Sequence, residues 1–242
     1  MVNPGALLKA SFMASKAFFR LPAQARAPRP AGAGAAPPVV VPIRSIGPGH
    51  TGRITAHLLA LELRDRYLRF GYSANDEQVS RYVAGINFER DEIFGIYNRK
   101  LELIAMGHLA FSTDPELQSC AEFGVSVLGH ARGRGYGARL FDRAVMHSRN
   151  EGVQMVFIHA LSENTAMLTI ARKAGATVER DGSESEAYLK VSPANLDSRM
   201  SEMLDEQIAQ TDYRLKVQAK KFWDFLALLQ EVRQGVRDSR RR

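Results

Sequence analysis

The stretch that decides the fold runs from Val125 to Leu140 and reads VSVLGHARGRGYGARL. It opens with apolar, β-branched residues typical of a strand and closes with residues in helical spacing. Between them, glycine occupies the alternate positions 133, 135 and 137. Because glycine lacks a Cβ atom and tolerates positive φ, successive backbone N–H groups can point into one anion-binding concavity. At a helix N-terminus the helix dipole adds to this attraction, so the pattern predicts a pyrophosphate site.

Other glycine-rich phosphate loops fit the stretch less well. A Walker A loop is excluded because no Gly-Lys-Ser/Thr follows the glycines. A Rossmann fingerprint requires the third glycine one residue later and an acidic residue at the end of the next strand, whereas Glu151 precedes that strand. A purely structural role, in which the glycines permit tight helix–strand packing, stays open.

The spacing of Arg132, Gly135 and Gly137 resembles the signature of the GNAT N-acetyltransferase superfamily, which is Arg or Gln, two residues, Gly, one residue, Gly or Ala. The resemblance implies acetyl-CoA as the co-substrate. It implies that Val125 and Val127 bind the pantetheine arm through their backbone, on a strand that splays away from the strand at 155–159. It also implies that the pyrophosphate is held by the backbone amides of Arg132, Gly133, Arg134, Gly135, Tyr136, Gly137 and Ala138.

A second feature of the superfamily follows the strand at 155–159. Asn164, Lys173 and Gly175 match the family's asparagine and the Lys-x-Gly that ends its helix, which implies that Asn164 approaches the pantetheine or the thioester. Helix capping is the other interpretation of Asn164. Many members carry a tyrosine seven residues after the asparagine to protonate the departing thiolate, but this chain has Ala171 there. Solvent or another group must then supply the proton, a modest need for a thiol of pKa about 8.5.

Glu122 is the candidate catalytic base. A lysine-type amine is less than about 0.1% neutral at pH 7, so its attack on a thioester benefits from a base. Alternation along the strand 120–127 puts Phe123, Val125 and Val127 on one face and Glu122, Gly124 and Ser126 on the other. A paired carboxylate with a structural role is the alternative.

Three short segments resemble the GNAT domain of bacterial protein lysine acetyltransferases. They are Arg69-Phe70-Gly71, the run from Asn87 to Glu92, and Ala121-Glu122-Phe123. In those enzymes a glutamate on this strand is regarded as the base, which is why the resemblance assigns that role to Glu122.

The order of patterns along the chain predicts an α/β fold of the GNAT type. We expect a mixed, mostly antiparallel central sheet with helices on both faces, splayed between the fourth and fifth strands. Strands are expected at 39–44, 92–97, 101–111, 120–128, 155–159, 177–180 and 187–191. Helices are expected at 51–67, from a cap at Asn75-Asp76, at 133–148 and at 164–173.

Three segments follow from composition. Residues 1–40 form an Ala/Pro-rich basic arm that we expect to be flexible, and 41–192 form the acyltransferase domain. Residues 193–242 form an amphipathic helical extension with a basic tail. We expect this helix to pack on its own domain or to form a homodimer; a membrane-surface or partner-binding helix is the alternative.

The net charge of +7 comes entirely from residues 1–61, which contain seven basic residues and no acidic one. Residues 62–194 carry 16 basic and 18 acidic residues, so we expect no nucleic-acid partner and a cationic acceptor such as an amine. No apolar run reaches the roughly 20 residues of a membrane span. A single cysteine, Cys120, suits a reducing, cytoplasmic location.

The histidines show no spacing typical of a metal site, so we expect no metal. His108, His130 and His159 are interpreted as structural, although His159 ends a strand that faces the expected cleft. The main hypothesis is an acetyl-CoA-dependent N-acetyltransferase acting on a small amine or a protein lysine by direct attack on the thioester. The alternatives are a non-enzymatic acyl-CoA-binding sensor and a nucleic-acid or membrane accessory protein.

Overall fold

A computed structural model describes residues 41–117 and 119–239. The predicted arm at 1–40, part of the predicted first strand and the end of the basic tail lie outside these residues.

The central sheet has seven strands in the order β1-β2-β3-β4-β5-β7-β6. Their bounds are β1 Arg44–Ser45, β2 Glu92–Tyr97, β3 Leu103–Phe111, β4 Cys120–Val127, β5 Met155–Leu161, β6 Thr177–Asp181 and β7 Glu184–Lys190. Neighbouring strands are antiparallel except β4 and β5, which are parallel. The mixed, mostly antiparallel sheet confirms the predicted fold class.

Helices cover both faces of the sheet. They are α1 Thr51–Leu59, α2 Leu63–Phe70, α3 Asp76–Ala84, α4 Tyr136–Asn150, α5 Thr165–Lys173 and α6 Leu196–Ser239. On one face, Phe123 of β4 packs against Phe141 of α4 with ring centroids 5.1 Å apart, and both side chains are buried. Each contributes about 1.5–3 kcal/mol of hydrophobic stabilisation. The predicted cap of α3 is confirmed as a reciprocal capping box between Asn75 and Gln78.

Several predicted elements differ in extent from the observed ones. The helix expected at 133–148 is Tyr136–Asn150, and the strand expected at 187–191 is Glu184–Lys190. The single helix expected at 51–67 is broken into α1 and α2, because Leu61 turns into the core and the Arg66 guanidinium binds the Leu59 carbonyl oxygen at the end of α1, 2.6 Å away. Of the strand expected at 39–44, the described residues 41–44 contribute Arg44 alone, and β1 is Arg44–Ser45. The strands expected at 92–97 and 101–111 form an antiparallel hairpin, with Leu101 at φ +63 just before β3.

Strands β4 and β5 diverge soon after they begin. Their ladder contains three residue pairs, and Glu122 opposite Phe157 is the last. Both strands continue beyond this point, so a cleft opens between them, as the predicted splay requires. Along 41–117 and 119–239, no helix is both long and apolar enough to cross a membrane.

Candidate active site

The backbone of β4 exposes hydrogen-bonding groups along one edge of this cleft. The Leu128 N–H donates to the Ile104 carbonyl oxygen, and the Cys120 carbonyl oxygen accepts from Ser112, both at 3.0 Å. These bonds show that the backbone N–H and C=O groups of the even-numbered residues of β4 point towards β3. Because strand residues alternate, the backbone groups of the odd-numbered residues, Val125 and Val127 included, point towards β5 where the ladder has ended. The edge has the orientation expected for the pantetheine arm, whose binding there stays a prediction.

The glycine loop leads from this edge into α4. A short 3₁₀ turn, Gly129–Ala131, follows β4, and Gly133 and Gly135 then adopt φ +75 and +74. Gly135 is the N-cap of α4 and offers no side-chain cap. The first-turn N–H groups of Tyr136, Gly137 and Ala138 therefore have no acceptor within the helix. This array at the positive end of the helix dipole has the chemistry of an anion site.

The three glycines serve different purposes. A Cβ atom on Gly133 or Gly135 would meet no atom within 4 Å, so these positions need glycine for their positive φ. A Cβ atom on Gly137 would lie 3.0 Å from Cδ1 of Ile170, so Gly137 allows α5 to pack closely on α4. The purely structural interpretation therefore applies to Gly137. Around Gly133 and Gly135 the space beside the loop is unfilled.

Arg132 connects the glycine loop to α2 through an ion pair. Its guanidinium forms an ion pair with Asp65, and its Nε lies 3.4 Å from the carbonyl oxygen of Val127. Gly133, Arg134 and Gly135 are exposed beside it. The predicted phosphate-binding residues therefore form one continuous surface at the mouth of the cleft; their contact with acetyl-CoA stays a prediction.

Glu122 lies where β4 and β5 separate, and it faces His159. The distance between Glu122 Oε1 and His159 Nδ1 is 3.5 Å, and His159 Nε2 lies 3.3 Å from Glu186 Oε1. Burial lowers the pKa of the imidazole, but the two carboxylates outweigh burial and raise it to about 10. His159 is therefore a cation at neutral pH. Glu122 Oε2 is buried and has no hydrogen-bond partner among the residues of known position, so it can accept a proton.

A line of polar side chains runs from the cleft to the edge of the sheet. Arg69 donates to the Tyr82 hydroxyl at 2.9 Å, and this hydroxyl lies 2.5 Å from His108 Nδ1. Burial lowers the pKa of His108 despite its contact with Asp91, so the ring is neutral. Its Nδ1 accepts a hydrogen bond from the Tyr82 hydroxyl. Asp91 is held in turn by Arg90 at 2.6 Å. These contacts fit a structural role for His108 and place a cation, Arg69, on the same face as Glu122.

His57 supports the same face from α1. Its Nδ1 lies 2.7 Å from the Leu103 carbonyl oxygen, which can only accept, so Nδ1 carries the proton. Its Nε2 then accepts from the Ser126 hydroxyl at 2.8 Å. Burial is the main cause that lowers the pKa of His57 to about 4. A neutral His57 thus joins α1 to β3 and β4.

Asn164 is the N-cap of α5. Its Oδ1 accepts from the Met167 N–H at 3.2 Å, and its Nδ2 donates to the Leu68 carbonyl oxygen of α2 at 3.3 Å. The capping interpretation is therefore realised, and contact with the pantetheine stays a prediction. Ala171, which replaces the family's tyrosine, is fully buried.

Glu186 is a residue of this site that was not predicted from the sequence. It reaches the site because β7 inserts between β5 and β6 and pairs His159 with Glu186. The strand order is a tertiary property, and the local sequence Ser185-Glu186-Ala187 gave no signal for it. Within residues 41–117 and 119–239, no group of three or more His, Cys, Asp or Glu side chains is able to hold a metal ion.

Comparison with known proteins places this fold in a family. Residues 58–176 match the family model described as "Acetyltransferase (GNAT) family". No curated protein matches the chain by sequence. The GNAT domain of S. lividans PAT is similar at 18% identity and a TM-score of 0.54, covering 63% of this chain and 95% of that one.

Two further solved structures share the fold. A putative acetyltransferase from Acinetobacter baylyi has 14% identity and a TM-score of 0.53, with 63% of this chain and 93% of that chain covered. A putative acetyltransferase from Salmonella typhimurium, determined with its cofactor acetyl-CoA, has 12% identity and a TM-score of 0.50, with 64% and 96% covered. Residues 58–176 form a GNAT acetyltransferase domain, as the glycine motif predicted, and the family indicates acetyl-CoA-dependent N-acetylation in general terms.

Proposed function

We propose that this protein transfers the acetyl group of acetyl-CoA to a primary amine by direct attack of the amine on the thioester. One observation carries the proposal: the open backbone edge of β4 leads from Glu122 to the unpaired N–H groups at the start of α4. An extended edge suits the pantetheine arm through Val125 and Val127. The helix N-terminus suits the pyrophosphate. In this arrangement the thioester end lies near Glu122.

Glu122 acts as the general base. An amine acceptor arrives mostly as an ammonium ion. One ammonium proton passes to solvent through Glu122. The neutral nitrogen then forms a bond to the thioester carbon, and the tetrahedral intermediate loses a second proton to Glu122 before the C–S bond breaks.

His159 replaces the tyrosine that this chain lacks. As a cation beside Glu122, it donates a proton to the departing thiolate, and the protonated Glu122 returns a proton to His159 Nδ1. Of the three ammonium protons, one goes to solvent, one reaches the sulfur and one remains on the amide. Both side chains regain their starting state.

A catalytically weak acyl-CoA sensor is the second candidate, favoured by the burial of Ala171 at the tyrosine position. A small amine and a protein lysine are both acceptors compatible with the site. The resemblance to protein lysine acetyltransferases favours the lysine.

Thiol release from acetyl-CoA, measured with a panel of polyamines, amino acids and lysine peptides, tests the proposal. We expect turnover with at least one amine and a rate reduced about 10²–10⁴-fold in Glu122→Gln, with binding of CoA retained. The matched control is Glu179→Gln on the exposed strand β6, which we expect to keep the rate. A folded protein that binds acetyl-CoA but turns over no amine would overturn the enzyme and favour the sensor; absence of CoA binding would overturn both.

A further inference from the structure

Helix α6 is far longer than the surface on which it rests. Its 44 residues extend for about 66 Å at 1.5 Å per residue. Its first half contacts the domain through an inner stripe spaced three or four residues apart: Ser198, Glu202, Glu206, Ala209, Tyr213 and Lys216. The Nζ of Lys216, 2.9 Å from the Tyr97 carbonyl oxygen, makes the last hydrogen bond to the domain that the described side chains show.

The opposite side of α6 is apolar and exposed. Of the ten large apolar side chains that lie exposed among the described residues, nine belong to this helix. An outer stripe repeats with spacings of four and three residues: Leu204, Ile208, Thr211, Leu215, Gln218, Phe222 and Phe225. Leu215 and Phe222 are 61% and 57% exposed. In sequence the same spacing continues with Leu229, Val232 and Val236.

This spacing favours a second helix as the partner. An apolar repeat of 3.5 residues forms the narrow seam of a two-stranded coiled coil, whereas a helix on a membrane surface presents a Lys/Arg-rich polar face. Residues 196–239 contain seven basic and eight acidic residues, so α6 has no excess of positive charge for an anionic membrane.

The charges of α6 make the helix complementary to itself. Residues 196–217 contain three basic and five acidic residues, and 218–239 contain four basic and three acidic residues, followed by three arginines. An antiparallel second copy sets each acidic half against a basic half, whereas a parallel copy sets like against like. The domain does not obstruct such a pair, because it occupies the inner stripe, about 200° around the helix from the outer one.

We propose that α6 pairs with α6 of a second copy as an antiparallel coiled coil, with Leu204, Ile208, Leu215, Phe222 and Phe225 in the seam. The pairing stands whether or not the chain transfers acetyl groups. It leaves the cleft between β4 and β5 free in each copy, since the inner stripe of α6 packs on α4 and on the edge of the sheet at β1 and β2.

Sedimentation of the full chain over a concentration series tests the interface. We expect twice the 26.9 kDa mass of one chain for the wild type and for Trp223→Asp, and a monomer for Leu215→Asp with Phe222→Asp. Trp223 is the matched control because it is 66% exposed but lies on the side of α6 that continues the inner stripe, away from the seam. Circular dichroism checks that each variant keeps its helices. A monomeric wild type, or a folded seam variant that stays dimeric, overturns the interface.

Disulfide cross-linking in a Cys120→Ser background tests the orientation. Gln218 lies near the midpoint of α6, so Gln218→Cys chains meet in an antiparallel pair and cross-link. Ile208→Cys chains stay unlinked, since antiparallel pairing sets each 208 against the second half of its partner. Efficient linking at 208 overturns the antiparallel arrangement, and failure at 218 overturns the pairing about this midpoint.

Discussion

The guanidinium carbon of Arg69 lies 2.7 Å from the point that a Cβ atom on Gly124 would occupy. Any side chain at 124 would therefore displace Arg69 from its hydrogen bond with Tyr82. The absence of a side chain at Gly124 thus leaves room for the Arg69 guanidinium on the face of the sheet that carries Glu122, the proposed base.

Gly124→Ala tests whether this cation matters for function. Because the displaced atoms end a flexible side chain, we expect the free energy of unfolding to fall by less than about 1 kcal/mol and the acetyl-transfer rate to fall with it. Gly95→Ala is the comparison, since its Cβ would meet Ile46 and lie 2.7 Å from Leu103 Cδ1 in the core. We expect it to cost about 1–3 kcal/mol in denaturant unfolding. An unchanged rate in Gly124→Ala would show that the position of Arg69 is irrelevant to acetyl transfer.

Gly135→Ala tests the phosphate site against a glycine of equal strain. Gly135 and Gly152 have φ +74 and +77, and neither has an atom within 4 Å of its Cβ position. Alanine at either site costs about 1–2 kcal/mol in backbone strain. Of the two, Gly135 alone lies at the proposed phosphate site, as the N-cap of α4. A lost hydrogen bond to a charged group costs about 1.5–3 kcal/mol, roughly 10–100-fold in affinity. Calorimetric titration with CoA should show this loss in Gly135→Ala alone; equal affinities would count against the site.

The local patterns around β4 and α4 could be predicted from sequence because their signals are short-range. The alternation of Glu122 and Phe123 and the positive-φ glycines each follow from neighbouring residues. The fold class followed from the order of these patterns, and the family match confirms it.

The missing parts of the prediction depend on contacts between distant residues. The break between α1 and α2 has no glycine or proline; Leu61 is drawn into the core, and Arg66 takes the Leu59 carbonyl oxygen. The carboxylate pair around His159 requires β7 to lie beside β5, which no local spacing encodes. His159 therefore looked like an isolated strand histidine, although it lies between the carboxylates of Glu122 and Glu186.

The pH dependence of stability should reveal the paired histidine. The folded-state pKa of His159, about 10, lies above its usual 6.5, so its contribution is complete below pH 6.5 and is lost as the pH rises through about 10. We expect the difference in unfolding free energy between wild type and His159→Gln to shrink over this window. Glu186→Gln should move the upper end of the window to lower pH. A difference that is constant with pH would contradict the paired cation.

Glu202 is the residue that we expect to matter most for holding α6 on the domain. Its Oε1 lies 2.7 Å from His147 Nδ1 and 3.2 Å from Nη1 of Arg143, whose side chain is 4% exposed. Removing one partner of a buried ion pair costs about 3–5 kcal/mol, and Glu206, 3.4 Å from Arg143, compensates in part. Glu202→Ala should therefore lower the unfolding free energy by about 3 kcal/mol.

The matched control for this anchor is Glu206→Ala, which removes the longer contact to Arg143 and should cost less. Limited proteolysis should cut α6 earlier in Glu202→Ala than in this control. Hydrogen bonds from His147 and Asn150 overcome burial and lower the pKa of Glu202 from 4.5, so the difference from wild type should shrink as the pH falls below 4.5. Equal stability and equal proteolysis of the two variants would show that another contact holds the helix.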